Sequence, residues 1–347
     1  MSRVTWPNGA RCAAAITFDM DADSLIHIAA EDGWRRAYPV SMGRYGPTVA
    51  IPRILESYRR LGLKQSFFIP GWCLETYPKA VEAILEGGHE IGCHGWIHEN
   101  PLERTRDEQA ADLDRALDAF ERIVGRRPTG YRAPVYQVTE HTVELLLARG
   151  FVYESSMMAD DVPYLLRTGQ GDLVEIPPHW GTDDWPPFAH YQEIGYLMPV
   201  RGPSEGLAPF FEEFEAAYEA GGMWMAVVHP FLTGRLARWR VMERWLEGCA
   251  GARRCLVRDP GRDRPARAGR ARPGSGCEGR GISLLCGAAE MRPGHRNHDR
   301  RRPPPCPSPF QGEGTQSAAS GSASPSHERG GDRGGVCDAG HLGRTSP

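Results

Sequence analysis

No run of 18 or more apolar residues occurs in this 347-residue chain, which excludes a membrane-spanning helix. Cysteine is scarce before residue 249. Cys12, Cys73 and Cys93 are too few for a disulfide framework and fit a reduced, cytoplasmic setting. No secretory leader is expected either, because the first residues run almost at once into an apolar stretch, 13–18, too short for a signal core. Aromatics are missing from the C-terminal part: of 31 Phe, Tyr and Trp, Phe310 alone lies beyond residue 248. The same last 99 residues hold 17 Arg against 9 acidic residues, a charge of +8, which leaves −11 on the body. An acidic body argues against nucleic acid as its partner.

The chain therefore divides into a domain at 1–248 and a tail at 249–347. The tail is rich in Arg, Gly, Pro and Ser, has no amphipathic period, and offers too few large apolar groups to offset chain entropy, so disorder is expected. Its cysteines lack paired CxxC spacing, which argues against a zinc finger, and its arginines lack the interleaved aromatics of a base-stacking surface. The change is abrupt. An amphipathic run, 241–247, reaches no following strand, and the sequence beyond it reads as out-of-frame or read-through translation.

Within the body, short apolar runs alternate with amphipathic ones. Strands are expected at 13–18, 65–69, 90–93, 130–132, 152–155, 173–176 and 223–228. Helices are expected at 49–61, 78–86, 106–124, 140–149 and 209–220, with Thr105 and Glu108 as a capping box. Gly62, Gly87, Gly125, Gly150 and Gly221 stand where helices should stop. Alternation of this kind implies α/β architecture with parallel strands, as a barrel or an open sheet. The barrel is favoured because Asp19, Asp21, His94, His98, Arg132 and His229 all fall at or just past strand C-termini. Residues 22–46, with Trp34, Tyr38, Arg44 and Tyr45, form an excursion long enough to fold over that mouth.

The residue types suit hydrolysis. Asp19 and Asp21, two apart at a strand end, bring two carboxylates to one site, where one can bind a metal while the other takes a proton from water. His94 and His98 at HxxxH spacing put two imidazoles on one face if the turn is helical, and with a carboxylate they make a three-ligand site with an open position. His89 reads as structural. Pro134 fixes the chain direction after Arg132, and a guanidinium beside a carboxylate base keeps it ionised. His229, leaving an apolar strand, suits a general acid for a departing amine. Taken singly, these residues also fit loop caps, surface histidines, a salt bridge and a core histidine. Asp160-Asp161 and Asp183-Asp184-Trp185 are both candidates to orient His229 or line a cleft.

In order and type, Thr17-Phe-Asp-Met-Asp21, His94-Gly-Trp-Ile-His98, Tyr131-Arg-Ala-Pro134 and Val227-Val-His-Pro230 resemble the motifs of NodB-type polysaccharide deacetylases, the carbohydrate esterase 4 group, over roughly residues 10–247. The resemblance implies a distorted (β/α)7 barrel and one divalent metal, usually zinc, held by Asp21, His94 and His98. It further implies Asp19 as general base, Arg132 as its partner and His229 as general acid. Arg44, Tyr136, Asp161, Trp180 and Trp185 are expected to contact substrate. Met20 between the aspartates, and the stretches 155–164 and 175–186, look like an intracellular branch of peptidoglycan-deacetylase-like proteins and of relatives that open cyclic imides or ureides. The expected activity is thus hydrolysis of non-peptide carbon–nitrogen bonds in an N-acetyl sugar, with a cyclic imide or ureide as the alternative. An inactive barrel that only binds is a further alternative, and a homo-oligomer is expected. The family's closing C-terminal strand is not visible before the tail begins, so strand 1 is expected to keep an unpaired edge.

Overall fold

All seven expected apolar runs form strands. In the computed structural model, residues 4–6, 10–29, 32–255 and 283–284 are described, the side chains of 250–255 and 283–284 excepted. The expectations placed on the tail beyond residue 255 therefore lie almost wholly outside the described residues. The strands are β1 (Ala13–Asp19), β2 (Ser66–Ile69), β3 (Glu90–Cys93), β4 (Gly130–Tyr131), β5 (Tyr153–Glu154), β6 (Tyr164–Thr168), β7 (Gly171–Glu175) and β8 (Met223–Val228). The order across the sheet is β6-β7-β5-β4-β3-β2-β1-β8, and every pairing on this path is parallel except β6 with β7. Every residue of β1 is buried, as expected of a strand covered on both faces.

Side-chain alternation along β1 sorts two cores. Ala15 joins Phe68, Tyr153, Ile176, Met225 and Val227 in one cluster. Ile16 and Phe18 join the larger cluster, where Phe18 stacks on Phe67 at 4.6 Å and meets Tyr58 edge-on at 5.8 Å. Tyr58 belongs to the helix α3 (Ile51–Leu61), and Trp239 of the helix Leu236–Cys255 packs on the same rings and donates to Ser57 Oγ at 2.9 Å. Burying each of these side chains stabilises the fold by about 1.5–3 kcal/mol.

The sheet curls into a distorted barrel of seven parallel strands, with β6 as an antiparallel flap on β7. Closure is incomplete where β8 meets the chain that follows β7. There Asp183 bridges Val227, Asp184 N donates to Val227 O at 3.1 Å, and Thr182 Oγ1 donates to Met225 O at 2.6 Å. The unpaired edge expected on β1 is not found. β8 pairs with it from Ala13↔Met223 to Phe18↔Val228, and β2 and the short strand Ser283–Leu284 pair with it too.

Before α3, the excursion contributes α1 (Ser24–Ala29) and α2 (Ala37–Tyr45). After it come α4 (Gly71–Thr76), α5 (Pro78–Glu86), α6 (Arg106–Ala119), α7 (Glu140–Ala148), α8 (Trp185–Phe188), α9 (Pro203–Ala220), α10 (Pro230–Thr233) and α11 (Leu236–Cys255). The capping box on α6 is present in both directions. α9 starts six residues before its expected start because Pro203 serves as its first-turn proline, leaving Pro209 inside the helix. Of the five helix-stop glycines, Gly87 stays right-handed and Gly88 makes the left-handed turn instead.

Candidate active site

β1 ends in Asp19, and its Oδ1 accepts Nη1 of Arg132 at 2.6 Å. Arg132 is wholly buried, and its other donors are also spoken for: Thr17 Oγ1, Ser155 O and Ser155 Oγ each accept at 2.9 Å, and the guanidinium lies over the Phe68 ring at 4.2 Å. Burial pulls its pKa down, but the charge of Asp19 outweighs that and holds it above the ordinary value. The cation is therefore fixed in direction and in charge beside one carboxylate.

Two residues on, Asp21 is fully buried, and neither of its carboxylate oxygens has a hydrogen-bond partner among the described residues. His94 Nε2 stands 3.4 Å from Oδ1 and His98 Nε2 3.6 Å from Oδ2. Burial raises the Asp21 pKa, but His98, His94 and His229 together hold it well below the carboxylate range. His94 Nδ1 lies 2.8 Å from the carbonyl oxygen of Arg132, which must accept its proton and so directs Nε2 toward Asp21. Burial pushes His98 down to about 4. A buried carboxylate with no donor, facing two imidazole nitrogens, is an arrangement that a cation completes. One oxygen and two nitrogen ligands match the donor set of a catalytic zinc site. The three ligand atoms lie within 4.8 Å of one another, so the residues present fit a divalent ion.

The histidine pair does not sit on a helical turn. Gly95 and His98 both have left-handed φ, +71° and +68°, and the chain between them is a tight turn. Glu99 closes it: its carboxylate accepts Trp96 N at 2.8 Å and Ile97 N at 2.7 Å. His89 is structural as expected, accepting Gln65 N on Nδ1.

On the other wall, His229 Nδ1 meets Asp184 Oδ1 at 2.6 Å, and its Nε2 lies 3.5 Å from Asp21 Oδ2. Asp184 also accepts His229 N and Thr233 N. Burial acts to lower the His229 pKa, but Asp184, then Asp21 and Asp183, raise it to about 10. Asp183 accepts Trp185 N at 2.7 Å and the Tyr136 hydroxyl, and burial raises its pKa to about 6. Asp183, Asp184 and His229 also cluster within 4.8 Å, but their donors and acceptors already satisfy one another, unlike those of Asp21. Of the two acidic pairs left open by the sequence, Asp183-Asp184 is the one at His229.

These groups share a cleft of about 310 Å³. Asp19, Asp21, His94, His98 and His229 form its floor, and Leu25, Ile28, Val135, Tyr136, Trp180, Trp185 and Ile194 contribute to its walls. The excursion thus supplies one wall through α1. Two expected substrate residues are elsewhere. Arg44 is tied by Nε to buried Asp23 Oδ2 at 3.0 Å and does not line the cleft. Asp161 lines a larger cavity of about 640 Å³ against the start of β8, where its carbonyl accepts Met223 N. That cavity holds none of the six motif residues. Sequence reasoning missed Glu99, Ser155 and Ser156, which have no signature apart from their contacts.

With this strand-mouth cleft on a distorted α/β barrel, likeness to known proteins makes the chain a hydrolase acting on carbon–nitrogen bonds other than peptide bonds. Residues 14–153 match the polysaccharide deacetylase family. A solved structure described as a putative polysaccharide deacetylase from Mycobacterium smegmatis is 34% identical, covers 72% of this chain and 87% of its own, and superposes with a TM-score of 0.70. A peptidoglycan deacetylase of Helicobacter pylori is 29% identical over 243 residues, 60% of this chain and 83% of that protein. A probable polysaccharide deacetylase from Pseudomonas aeruginosa PAO1, at 21% identity, shares the fold with a TM-score of 0.61 over 71% of this chain and 87% of its own. The chain belongs to the polysaccharide deacetylase family. Among the described residues, no helix is long and apolar enough to cross a membrane.

Proposed function

We propose that this chain removes N-acetyl groups from an amino sugar by hydrolysis that depends on one divalent metal. The observation that carries the reading is the pair of unpartnered, buried Asp21 oxygens facing His94 and His98, flanked by an Asp–Arg pair and an Asp–His pair. Asp21, His94 and His98 would hold the ion. When bound there, the ion, zinc in this reading, supplies Lewis acidity for an amide carbonyl and for water. Asp19 takes the proton of the attacking water, and Arg132 aims that carboxylate through its 2.6 Å hydrogen bond. His229, whose protonated form the Asp184 charge favours, gives a proton to the departing nitrogen, and Asp184 fixes its ring. Tyr136, Trp180 and Trp185 present flat aromatic surface to the substrate.

The three buried free cysteines Cys12, Cys73 and Cys93 fit a cytoplasmic setting, which belongs to the same reading. A second reading, ring opening of a cyclic imide or ureide, draws support from the small, largely apolar cleft. The test is turnover of N-acetylglucosamine oligomers and of simple cyclic imides, with elemental analysis of bound metal. About one divalent ion per chain, lost in His94→Ala, with turnover abolished in Asp19→Asn, is expected. Full turnover without metal would overturn the proposal.

A further inference from the structure

Outside the cleft, the described residues include a further buried pair of acids. Glu154 of β5 and Glu175 of β7 are register partners, and both are fully buried. Ser156 N donates to Glu154 Oε2 and to Glu175 Oε1, each at 3.0 Å, and Met157 N donates to Glu175 Oε1 at 3.1 Å. Ser156 Oγ donates to Glu154 Oε1. Among the described residues, Glu175 Oε2 has no donor. Two adjacent carboxylates cannot both stay ionised in such a place. A proton on the orphaned Glu175 oxygen, given to Glu154, satisfies both. Burial first, then the charge of Glu154, pushes Glu175 up to about 12, in keeping with that account.

What the pair holds is the chain behind Arg132. Ser156 Oγ, fixed by Glu154, accepts Ala133 N at 2.8 Å. The adjacent Ser155 accepts Arg132 Nε on its carbonyl and Nη2 on its hydroxyl, and its own hydroxyl donates to Ile176 O at 2.8 Å, one residue past Glu175. Arg132 in turn holds Asp19 through its side chain and His94 through its carbonyl. Two serines thus join the acid pair to the groups read as base and metal ligand.

We propose that Glu154 and Glu175 share one proton and act as a positioning clasp for Arg132, and through it for Asp19. The inference rests on the hydrolase reading for its kinetic consequence but not for its proton. Substituting Glu175→Gln places a permanent amide N–H where the shared proton would be, whereas Glu175→Ala and Glu154→Ala remove one half of the clasp.

The full-length chain is examined by infrared difference spectroscopy at mildly alkaline pH. A protonated-carboxyl carbonyl band is expected that vanishes in Glu175→Gln. Wild type without such a band would overturn the shared proton. With an N-acetylglucosamine trimer as probe, both alanine variants should lose at least tenfold in kcat with KM within about twofold, and Glu175→Gln should restore kcat. Alanine variants with wild-type kcat would overturn the clasp. If wild type turns over neither the trimer nor a cyclic imide, the hydrolase reading fails, and hydrogen exchange of the Arg132 Nε–H still reports on the clasp. Slow exchange in wild type and Glu175→Gln but fast exchange in Glu154→Ala supports it, and equal exchange in all three overturns it.

Discussion

At the scale of single residues, the contact between His229 and Asp184 can be separated from everything else in the cleft. Its 2.6 Å hydrogen bond is the shortest link between the proposed acid and its surroundings, and Asp184 is the largest influence raising the His229 pKa against burial. Replacing Asp184 by Asn keeps an acceptor but removes the charge that stabilises the imidazolium. The expected result is a fall in kcat of about 100-fold or more, with KM little changed and one metal still bound, because such a loss falls on the proton-transfer step. Steady-state kinetics with elemental analysis check this, and a variant that loses its metal instead would place Asp184 in the ligand scaffold.

At the scale of elements, the turn that carries His94 and His98 has no helix to hold it and depends on Glu99. That buried carboxylate accepts two backbone N–H groups in a turn with two left-handed residues. Glu99→Ala leaves those amides without an acceptor, at about 1–3 kcal/mol each. Lower thermal stability and at least tenfold weaker zinc affinity are expected, by calorimetry and competitive chelation. Unchanged affinity would mean that packing of Trp96 alone fixes the turn. Here the sequence was legible only in part. The spacing of the two histidines was informative, but HxxxH is ambiguous between one helical turn and a glycine-assisted tight turn. The seven parallel strands were legible because burial on both faces leaves near-continuous apolar runs, as in β1 and β8. The flap strand β6, Tyr-Leu-Leu-Arg-Thr, is only half buried and polar at one end, and it gave no comparable signal. The helices of the 22–46 excursion were missed for a similar reason: α1 spans only Ser24–Ala29 and α2 contains Pro39 and Gly43.

At the scale of the whole molecule, the barrel brings together residues that the sequence keeps more than 200 positions apart, such as Asp21 and His229 at 3.5 Å. Order and chemical type singled out the six motif residues, and the fold brings them together. Arg44 and Asp161 were misplaced because nothing local distinguishes a residue that lines a cleft from one tied to a neighbour such as Asp23. The buried acid pair was invisible for the same reason: Glu154 and Glu175 meet only through strand register. Yet the pair should govern how global stability responds to pH. The ordinary value for Glu175 is 4.5, and in the folded chain it is pushed up to about 12. Between those limits the unfolded chain releases a proton that the folded chain keeps. Stability from this group is therefore fully present below the lower value and declines as pH rises toward the upper one, by at most about 1.4 kcal/mol per pH unit. Glu175→Gln removes that dependence. Urea unfolding of the two proteins at about pH 6 and about pH 9 should show the variant gaining on wild type at the higher pH. Parallel curves would mean that both glutamates ionise in the folded state, and the orphaned oxygen of Glu175 would then need a donor other than the shared proton.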